Sequence, residues 1–423
     1  MKVETLNTVI VGGGQAGIAM SEHLTNSGIS HIVLERHRIA ERWRSERWDS
    51  LVQNGPAWHD RFPKMKFNVD DQHSFVSKDT VVEYFEAYVK EYKIPIRCGV
   101  NVNRVSRKTN SLNFTIETSD GVYYAENVVA ATGAFQTPVI PPIVPEAANI
   151  KQIHSSSYKN PDQLPDGAVL VVGAGSSGAQ ISDELQRSGR KVYLSMGPTE
   201  RPPRAYRGHD CVWWLGVLGK WDALPPAEGG RHVAIAVSGA HGGETVDFRK
   251  LAARGVTLLG QTTEFNHGRL FVADDLKENM ACADRDYLSF LQAADAHVER
   301  FGLDLPEEPE AYDLGEDPDC LIHPVQELDL NACDINSIVW ATGYAQDFSW
   351  LDVDALDTAG RPKHHRGVSD EPGVFFLGLP LQTARKSSFI CGVWHDAKFL
   401  ADQIETRSKY NAYTVESRLP AYS

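Results

Sequence analysis

The stretch "VIVGGGQAGIAM", residues 9–20, decides how this chain folds. Its apolar run Val9–Val11 suits a strand buried on both faces of a parallel sheet. Glycines then follow in the spacing Gly-x-Gly-x-x-Gly, and the pattern predicts a helix over 16–27 that stops at Gly28. The first glycine permits a tight turn, the second lets a pyrophosphate approach, and the third lets helix pack on strand. The stretch therefore predicts a dinucleotide held at a helix N-terminus.

An acidic residue completes this first unit. The predicted second strand, His31–Leu34, ends at Glu35, whose carboxylate can accept hydrogen bonds from ribose hydroxyls. A carboxylate in this position suits a dinucleotide with a free 2′-hydroxyl. The residues predicted to bind this first dinucleotide are Gly12, Gly14, Gln15, Ala16, Gly17, Glu35 and Arg36.

The pattern recurs far along the chain in "VLVVGAGSSGAQI", residues 169–181. A strand over 169–172, a helix over 177–187, a stop at Gly189 and a strand over 191–195 are predicted. Met196 stands where the first unit has Glu35, so no carboxylate would repel the 2′-phosphate of a bound ribose. The arginines of "RPPRAYRGHD" can bind that phosphate. A solvated surface loop is the alternative for those arginines. The predicted contacts are Gly173, Gly175, Ser176, Ser177, Gly178, Met196, Arg201 and Arg204.

Two unlike nucleotide units predict FAD in the first and NADPH in the second. Matching apolar strands end in Ala-Thr-Gly at 131–133 and 341–343, and a Pro-rich linker spans 138–145. The predicted fold is α/β, with two Rossmann-like dinucleotide-binding domains. An NADPH domain, 165–331, is inserted into an FAD domain split into 1–164 and 332–423. Further cofactor contacts are predicted at the two strand ends and in the last segment: Thr132, Gly133, Thr342, Gly343, Leu379, Ser387 and Ser388.

The last segment should contain a buried strand and turn, "GVFFLGLP" at 373–380, and a helix over 387–404. Ser387 and Ser388 open that helix, whose N-terminal dipole should point towards the pyrimidine side of a flavin. The densest aromatic stretch, "CVWWLGVLGKW" at 211–221, either lines a substrate entrance or, as the favoured interpretation, packs inside the inserted domain.

Composition narrows the function. Lysine and arginine number 42 against 56 acidic residues, a net charge of -14, which leaves no broad basic surface for nucleic acid. The six cysteines form no Cys-x-x-Cys pair, which argues against a disulfide framework, a zinc ribbon and a dithiol redox centre. His364-His365 lacks metal-ligand spacing, and no metal is predicted. No signal region or membrane span is evident, so a cytoplasmic location is expected.

These motifs together resemble the class B flavin-dependent monooxygenases, which include flavin-containing monooxygenases and Baeyer–Villiger enzymes. "ERWRSERWDSLVQNGP" at 41–56 and "GLPLQTARKSSFICGVWHDA" at 378–397 add to the resemblance, which covers most of the chain. The family fingerprint Phe-x-Gly-x-x-x-His-x-x-x-aromatic is only partly kept. His154 and Tyr158 have the right offset, whereas Ala148 and Ile150 replace the Phe and the Gly. The Baeyer–Villiger version ends in tryptophan and proline, so "HSSSYKNP" favours oxidation at nitrogen, sulfur or electron-rich carbon.

The resemblance implies a reaction and places residues in it. NADPH reduces the flavin, O2 adds to form a C4a-(hydro)peroxyflavin, and this species oxygenates a small nucleophile such as an amine, a sulfide or an indole. Asn54 of "QNGP" maps onto the asparagine that faces the flavin in amine-oxidising members, and its amide can donate without acting as a base. Shaping the turn Asn54-Gly55-Pro56 is its alternative role. The residues expected beside the flavin are Trp43, Arg44, Trp48 and Gln53.

Other functions stay open. A Baeyer–Villiger ketone oxygenase is the first alternative; a non-oxygenating FAD/NADPH oxidoreductase or a redox sensor is less favoured. A disulfide reductase would need a dithiol that the sequence lacks.

His154 is expected to link the domains. His59 and Asp60 are adjacent and expected to point apart, which argues against a general-base pair. Similar enzymes are commonly dimers, so a homodimer is possible by this resemblance.

Overall fold

The computed structural model describes residues 2–108, 111–224 and 234–416, and these fold into two units with parallel sheets. The strands are β1 Lys2–Val11, β2 His31–Glu35, β3 Ile96–Cys98, β4 Val102–Arg107, β5 Phe114–Thr118, β6 Gly121–Ala130, β7 Thr137–Pro138, β8 Lys151–His154, β9 Ala168–Val172, β10 Val192–Ser195, β11 Thr199–Glu200, β12 Ala205–Tyr206, β13 His209–Asp210, β14 Ala234–Ile235, β15 Thr257–Leu259, β16 Thr262–Asn266, β17 Arg269–Val272, β18 Glu327–Asp329, β19 Ile335–Trp340, β20 Tyr344–Ala345, β21 Leu351–Asp352, β22 His364–His365, β23 Val368–Ser369 and β24 Val374–Phe376. The helices are α1 Gln15–Asn26, α2 Glu41–Ser45, α3 Lys78–Glu91, α4 Ser176–Arg187, α5 Cys211–Val217, α6 Phe248–Ala253, α7 Leu276–Phe301, α8 Asp319–Ile322 and α9 Ile390–Glu416.

The first sheet is built around β1. This strand pairs in parallel with β2 on one side and β6 on the other, and β3 extends the sheet beyond β2. Val9 and Ile10 are fully buried because helices and strands cover both faces of β1 at this end. α1 packs against α9 on one face, so the end of the chain returns to the unit in which it begins.

The second sheet repeats this arrangement around β9. Its order is β15-β10-β9-β19-β8, and every pairing in it is parallel. β9 lies between β10 and β19, just as β1 lies between β2 and β6. The predicted fold class, α/β with two Rossmann-like units, is confirmed.

The second sheet takes strands from outside the predicted inserted segment. β8 precedes residue 165 and β19 follows residue 331, yet both pair within this sheet. Strand pairing therefore corrects the predicted limits 165–331: the unit extends at least from Lys151 to Trp340. The physical reason is that β9 is a central strand and needs a partner on each edge, which β19 supplies. The rest of the predicted 1–164 and 332–423 division stays a prediction, and residues 417–423 lie outside the described residues.

The predicted elements occur close to their expected places. Ile18, Ala19 and Leu24 of α1 are fully buried, as its apolar spacing predicts. The last helix differs, because it begins at Ile390 rather than at Ser387 and continues to Glu416. Residues 385–388 form a 3-10 turn instead, in which the Ser387 hydroxyl accepts hydrogen bonds from the backbone N–H groups of Thr383 and Ala384.

Part of the aromatic stretch 211–221 packs in the core of the second unit, and part lies at the junction with the first unit. Trp214 is fully buried in a cluster that α5 forms with Phe290 and Leu291 of α7, in line with the favoured interpretation.

Among the described residues, no helix combines the length and the apolar character that crossing a membrane requires.

We expect Gly17→Ala to lower the free energy of unfolding by about 2 kcal/mol and to lower bound flavin, because a Cβ at this position overlaps the carbonyl oxygen of Gly12. Thermal unfolding and flavin absorbance would measure both effects. Gly216→Ala in α5 is the matched control, since a Cβ there meets nothing within 4 Å. Equal thermal stability of the two variants would contradict this account of the turn.

Candidate active site

A cleft opens at the carboxyl ends of β1, β2 and β6, where open α/β sheets bind nucleotides. It contains about 1520 Å³ of atom-free space, counting its mouth. Predicted residues that line it together are Gly12, Gly14, Gln15, Ala16, Glu35, Arg36, Trp43, Thr132, Gly133 and Ser388. The cleft therefore brings together residues that are more than 370 positions apart in the sequence.

The first glycine turn has no room for side chains on its inner side. Gly12 adopts a φ of +112°, and a Cβ there would overlap the carbonyl oxygen of Ala131. Gly17 packs on Gly12 in the same way. At Gly14, by contrast, a Cβ would meet nothing within 4 Å, and Gly14 caps α1 without any side-chain hydrogen bond. The turn thus exposes the uncapped N–H groups of a helix to the cleft, which suits a pyrophosphate.

Glu35 holds the edge of the same turn. One carboxylate oxygen accepts a hydrogen bond from the Gly13 N–H at 2.7 Å and the other accepts one from the His37 N–H at 2.8 Å. Each oxygen has a further lone pair that a ribose hydroxyl can use. The glycine turn, the free helix end and this acid fit the ADP half of FAD.

The second turn has the same backbone geometry. Gly173 has a φ of +104°, a Cβ on it would stand 2.5 Å from the carbonyl oxygen of Ala341, and Gly178 packs on Gly173. Gly175 caps α4 without a side-chain hydrogen bond. This arrangement fits a second dinucleotide.

A short segment packs against the second turn. The Ser176 hydroxyl donates to the carbonyl oxygen of Ile235 at 2.8 Å and accepts from the N–H of Val237 at 3.2 Å. A Cβ on Gly175 would stand 3.3 Å from the Cβ of Ala234. The structure records no hydrogen bond for the Ser177 side chain among the described residues. The segment 234–237 and the second turn therefore form one packed unit.

The residues predicted to bind a 2′-phosphate are buried. The Met196 side chain is fully buried in the core of the second unit. Arg201 is 3% exposed and pairs with Asp284 at 2.8 Å, while its guanidinium lies 4.5 Å from the ring centre of Tyr287. Burial alone would raise the pKa of the Asp284 carboxyl. The guanidinium groups of Arg249 and Arg201 outweigh this effect and hold the pKa below its usual value.

Arg204 is equally enclosed. It is 4% exposed, forms an ion pair with Asp210, and donates to the backbone oxygen of Asn54. Arg201 and Arg204 are thus not the solvated loop residues of the alternative interpretation. Each has a buried Nε that lacks a hydrogen-bond partner, and their assignment to a 2′-phosphate stays a prediction.

The four residues predicted beside the flavin lie in different environments, and only one of them lines the cleft. Trp43 lines the cleft, but Arg44 forms an ion pair with Glu86 away from it. Trp48 is 6% exposed and packs in the core of the second unit. Gln53 is buried, with its Nε2 3.3 Å from the carbonyl oxygen of Asp60 and its Oε1 without a partner.

Asn54 joins the two units. Its side-chain oxygen Oδ1 accepts a hydrogen bond of 2.9 Å from Gln180 on α4, and its backbone oxygen accepts the bond from Arg204. The loop between α2 and α3 of the first unit is thereby attached to α4, the helix of the second glycine turn.

The remaining predicted contacts lie on both sides of this junction. The Thr342 hydroxyl donates to the carbonyl oxygen of Val139, and the Gly343 carbonyl lies 3.0 Å from Nε2 of His154, whose pKa is lowered by burial. Leu379 and Ser387 are buried, which leaves little of either to face a ligand. The Ser388 carbonyl accepts a 2.6 Å hydrogen bond from Gln15, so the turn before α9 is tied to the first glycine turn.

One expectation is wrong. His59 and Asp60 do not point apart: Nδ1 of His59 lies 2.6 Å from the Asp60 carboxylate. The chain reverses between 56 and 61, which brings the neighbouring side chains together. The His59 ring stacks on Trp221 of the inserted unit with centroids 5.1 Å apart, and the Cys391 thiol lies close to both polar groups. The sequence gave no signal for this cluster, because adjacency in the chain does not show whether two side chains meet.

Comparison with known proteins places the chain. Residues 9–207 match the family model for pyridine nucleotide-disulphide oxidoreductases. A CzcO-like oxidoreductase of Geobacillus kaustophilus, described as uncharacterized, is 32% identical over 94% of this chain and 98% of its own. A probable indole-3-pyruvate monooxygenase of Arabidopsis thaliana, YUCCA1, is 30% identical over 44% of this chain and 46% of its own.

Solved structures share the fold. A flavin-containing monooxygenase of Stenotrophomonas maltophilia has a TM-score of 0.67 at 19% identity, with 96% of this chain and 99% of that one covered. The complex of OTEMO with FAD and NADP has a TM-score of 0.57 at 15% identity, with 97% and 87% covered.

The fold and its two glycine turns define a two-dinucleotide flavoprotein oxidoreductase. The chain belongs to the CzcO-like oxidoreductases. Its two glycine turns fit FAD and NADPH as cofactors. All six cysteines are free thiols in the structure.

We expect Glu35→Gln to weaken FAD binding by about tenfold, because a neutral amide oxygen accepts hydrogen bonds from ribose less strongly than a carboxylate. Titration of the deflavinated protein with FAD would measure this. Glu41→Gln is the matched control, since Glu41 lines the same cleft but is paired with exposed Arg38. Similar dissociation constants for the two variants would remove Glu35 from the ribose site.

Proposed function

We propose that this protein is an NADPH- and O2-dependent monooxygenase that oxygenates a small nucleophilic substrate, an amine, a sulfide or an indole-like compound, at nitrogen, sulfur or carbon. The observation that carries the proposal is the position of Asn54. Its loop belongs to the first unit and is bound at two points, by Gln180 and Arg204, to the second unit. Asn54 therefore lies where the two dinucleotide-binding units meet.

The chain's own residues provide binding and orientation. When bound, the flavin would accept a hydride from NADPH and react with O2, so the hard chemistry belongs to the cofactor. The Asn54 amide supplies a hydrogen-bond donor that has no basic form at neutral pH, and such a group can stabilise an oxygenated cofactor without removing its proton.

The relatives support the class of reaction and leave the substrate open. A flavin-containing monooxygenase shares the fold, and a probable indole-3-pyruvate monooxygenase matches under half of the chain. The indole-like option draws on the latter relative. Tyr158, which takes the place of the tryptophan in the Baeyer–Villiger fingerprint, is fully buried and donates to Glu184 at 2.7 Å. A ketone oxygenase is accordingly our second candidate.

The proposal includes a second-site assignment and a cellular setting. We assign the 2′-phosphate of NADPH to Arg201 and Arg204, each of which has a buried Nε without a hydrogen-bond partner. The acidic composition and the free thiols support a cytoplasmic protein whose partners are a small molecule and O2. A homodimer remains part of the proposal through the family resemblance alone.

Substrate-dependent NADPH oxidation is the central prediction. We expect purified holoenzyme to oxidise NADPH slowly alone and faster with one class from a panel of amines, sulfides, indoles and cyclic ketones. Oxygenated product and H2O2 would be measured in the same reactions. Lactones from the ketones would establish the second candidate. NADPH oxidation that yields only peroxide with every compound would refute oxygenation.

Asn54→Ala should increase the fraction of NADPH electrons released as H2O2 by about fivefold, which corresponds to the loss of one ordinary hydrogen bond. Asn103→Ala on the exposed side of β4 is the control. Peroxide assays at saturating NADPH and substrate would compare the variants. An unchanged peroxide fraction in Asn54→Ala would reduce Asn54 to its role in the turn.

A further inference from the structure

Gln180 makes two hydrogen bonds whose directions can be deduced. It lies on α4, two residues after the last glycine of the second turn. Its Nε2 stands 2.9 Å from Oδ1 of Asn54 and 2.6 Å from the backbone carbonyl oxygen of Val237. The three residues are half-buried and belong to three separate segments of the chain.

The Val237 carbonyl determines which end of the Gln180 amide faces the junction. A backbone carbonyl oxygen only accepts hydrogen bonds, so the Gln180 side chain must present its NH2 group to it. That group has two hydrogens, and the second points to Asn54. An NH2 group of Asn54 in this position would oppose the NH2 group of Gln180, so Asn54 presents its oxygen.

The orientation of Asn54 follows from this. With Oδ1 bound to Gln180, the donor atom Nδ2 points away from α4. The structure records no hydrogen bond from Nδ2 to any described residue, and Nδ2 is not among the enclosed polar atoms that lack a partner. The backbone oxygen of Asn54 is held by Arg204 at the same time. The donor end is therefore presented by a residue anchored at two points.

We propose that Gln180 is a positioning residue, which holds the Asn54 amide with its N–H donor end directed out of the NADPH unit. This inference rests on the proposed function of Asn54. The contact with Val237 extends the arrangement to the second nucleotide turn, because the segment that contains Val237 is bound to Ser176 of that turn. The Gln180 amide therefore contacts both Asn54 and the segment that is bound to the second glycine turn.

Two substitutions at residue 180 separate orientation from packing. In Gln180→Glu an ionised carboxylate only accepts, so Asn54 must turn its Nδ2 towards residue 180. In Gln180→Met the side chain keeps its length but neither donates nor directs Asn54. Gln186→Glu is the matched control, because Gln186 lies on the same helix and donates to the carbonyl oxygen of Arg254 at 2.8 Å.

Two readouts are measured in the flavin-loaded protein. The first is the side-chain amide resonance of Asn54 in protein labelled with 15N-asparagine, assigned by its loss in Asn54→Ala. The second is the fraction of NADPH electrons released as H2O2 at saturating NADPH, where differences in NADPH affinity do not matter. Flavin content and melting temperature establish that each variant is folded.

We expect the Asn54 resonance to move in both variants at residue 180 and to stay in place in Gln186→Glu. Peroxide should rise about fivefold in Gln180→Glu and less in Gln180→Met, since an inverted amide is worse than a free one. An unmoved resonance overturns the inference, and so does equal peroxide in Gln180→Glu and Gln186→Glu when Asn54→Ala itself raises the peroxide fraction. If the resonance moves while Asn54→Ala leaves the peroxide fraction unchanged, Gln180 still positions Asn54 and the proposed function of Asn54 is the part that fails.

Discussion

The close contact between a glycine and the carbonyl at the end of a neighbouring strand organises this protein. It occurs at Gly12 against Ala131 and again at Gly173 against Ala341. Backbone packs on backbone in both places, so any Cβ would force the turn away from the sheet. Because the turn is held there, the helix that follows begins at the carboxyl edge of the sheet with its first N–H groups unpaired. Each nucleotide site is a consequence of this contact.

The two units share that contact and differ in what surrounds it. The first turn borders an open cleft and has Glu35 at its rim. The second turn is packed against Ala234–Ile235 and the residues that follow, and Met196 at the corresponding place is buried in the core. The two turns therefore have the same backbone geometry but different chemical surroundings, because different side chains and segments pack around them. This is how one chain can hold two dinucleotides with distinct tasks.

The junction between the units depends on polar contacts from distant segments. The loop around Asn54 receives hydrogen bonds from α4 and from Arg204, and Gln15 is bound to the turn before α9. Nearby, His59 is oriented by Asp60 and stacked on Trp221. Partly buried polar groups of this kind need a partner in a defined direction, so they restrict how the two units sit together. The same restriction gives the Asn54 amide a single orientation.

The sequence by itself determined the strands, the glycine turns, the helices after them and the acid at the rim, since these depend on neighbours within about thirty residues and on sterics that only glycine satisfies. It also indicated the family and both cofactors. Only the tertiary structure decided that β8 and β19 complete the second sheet, that Arg201 and Arg204 are buried against Asp284 and Asp210, and that His59 meets Asp60. Those facts depend on which distant segments come together, and a local pattern contains no information about the partner that a side chain finds across the fold.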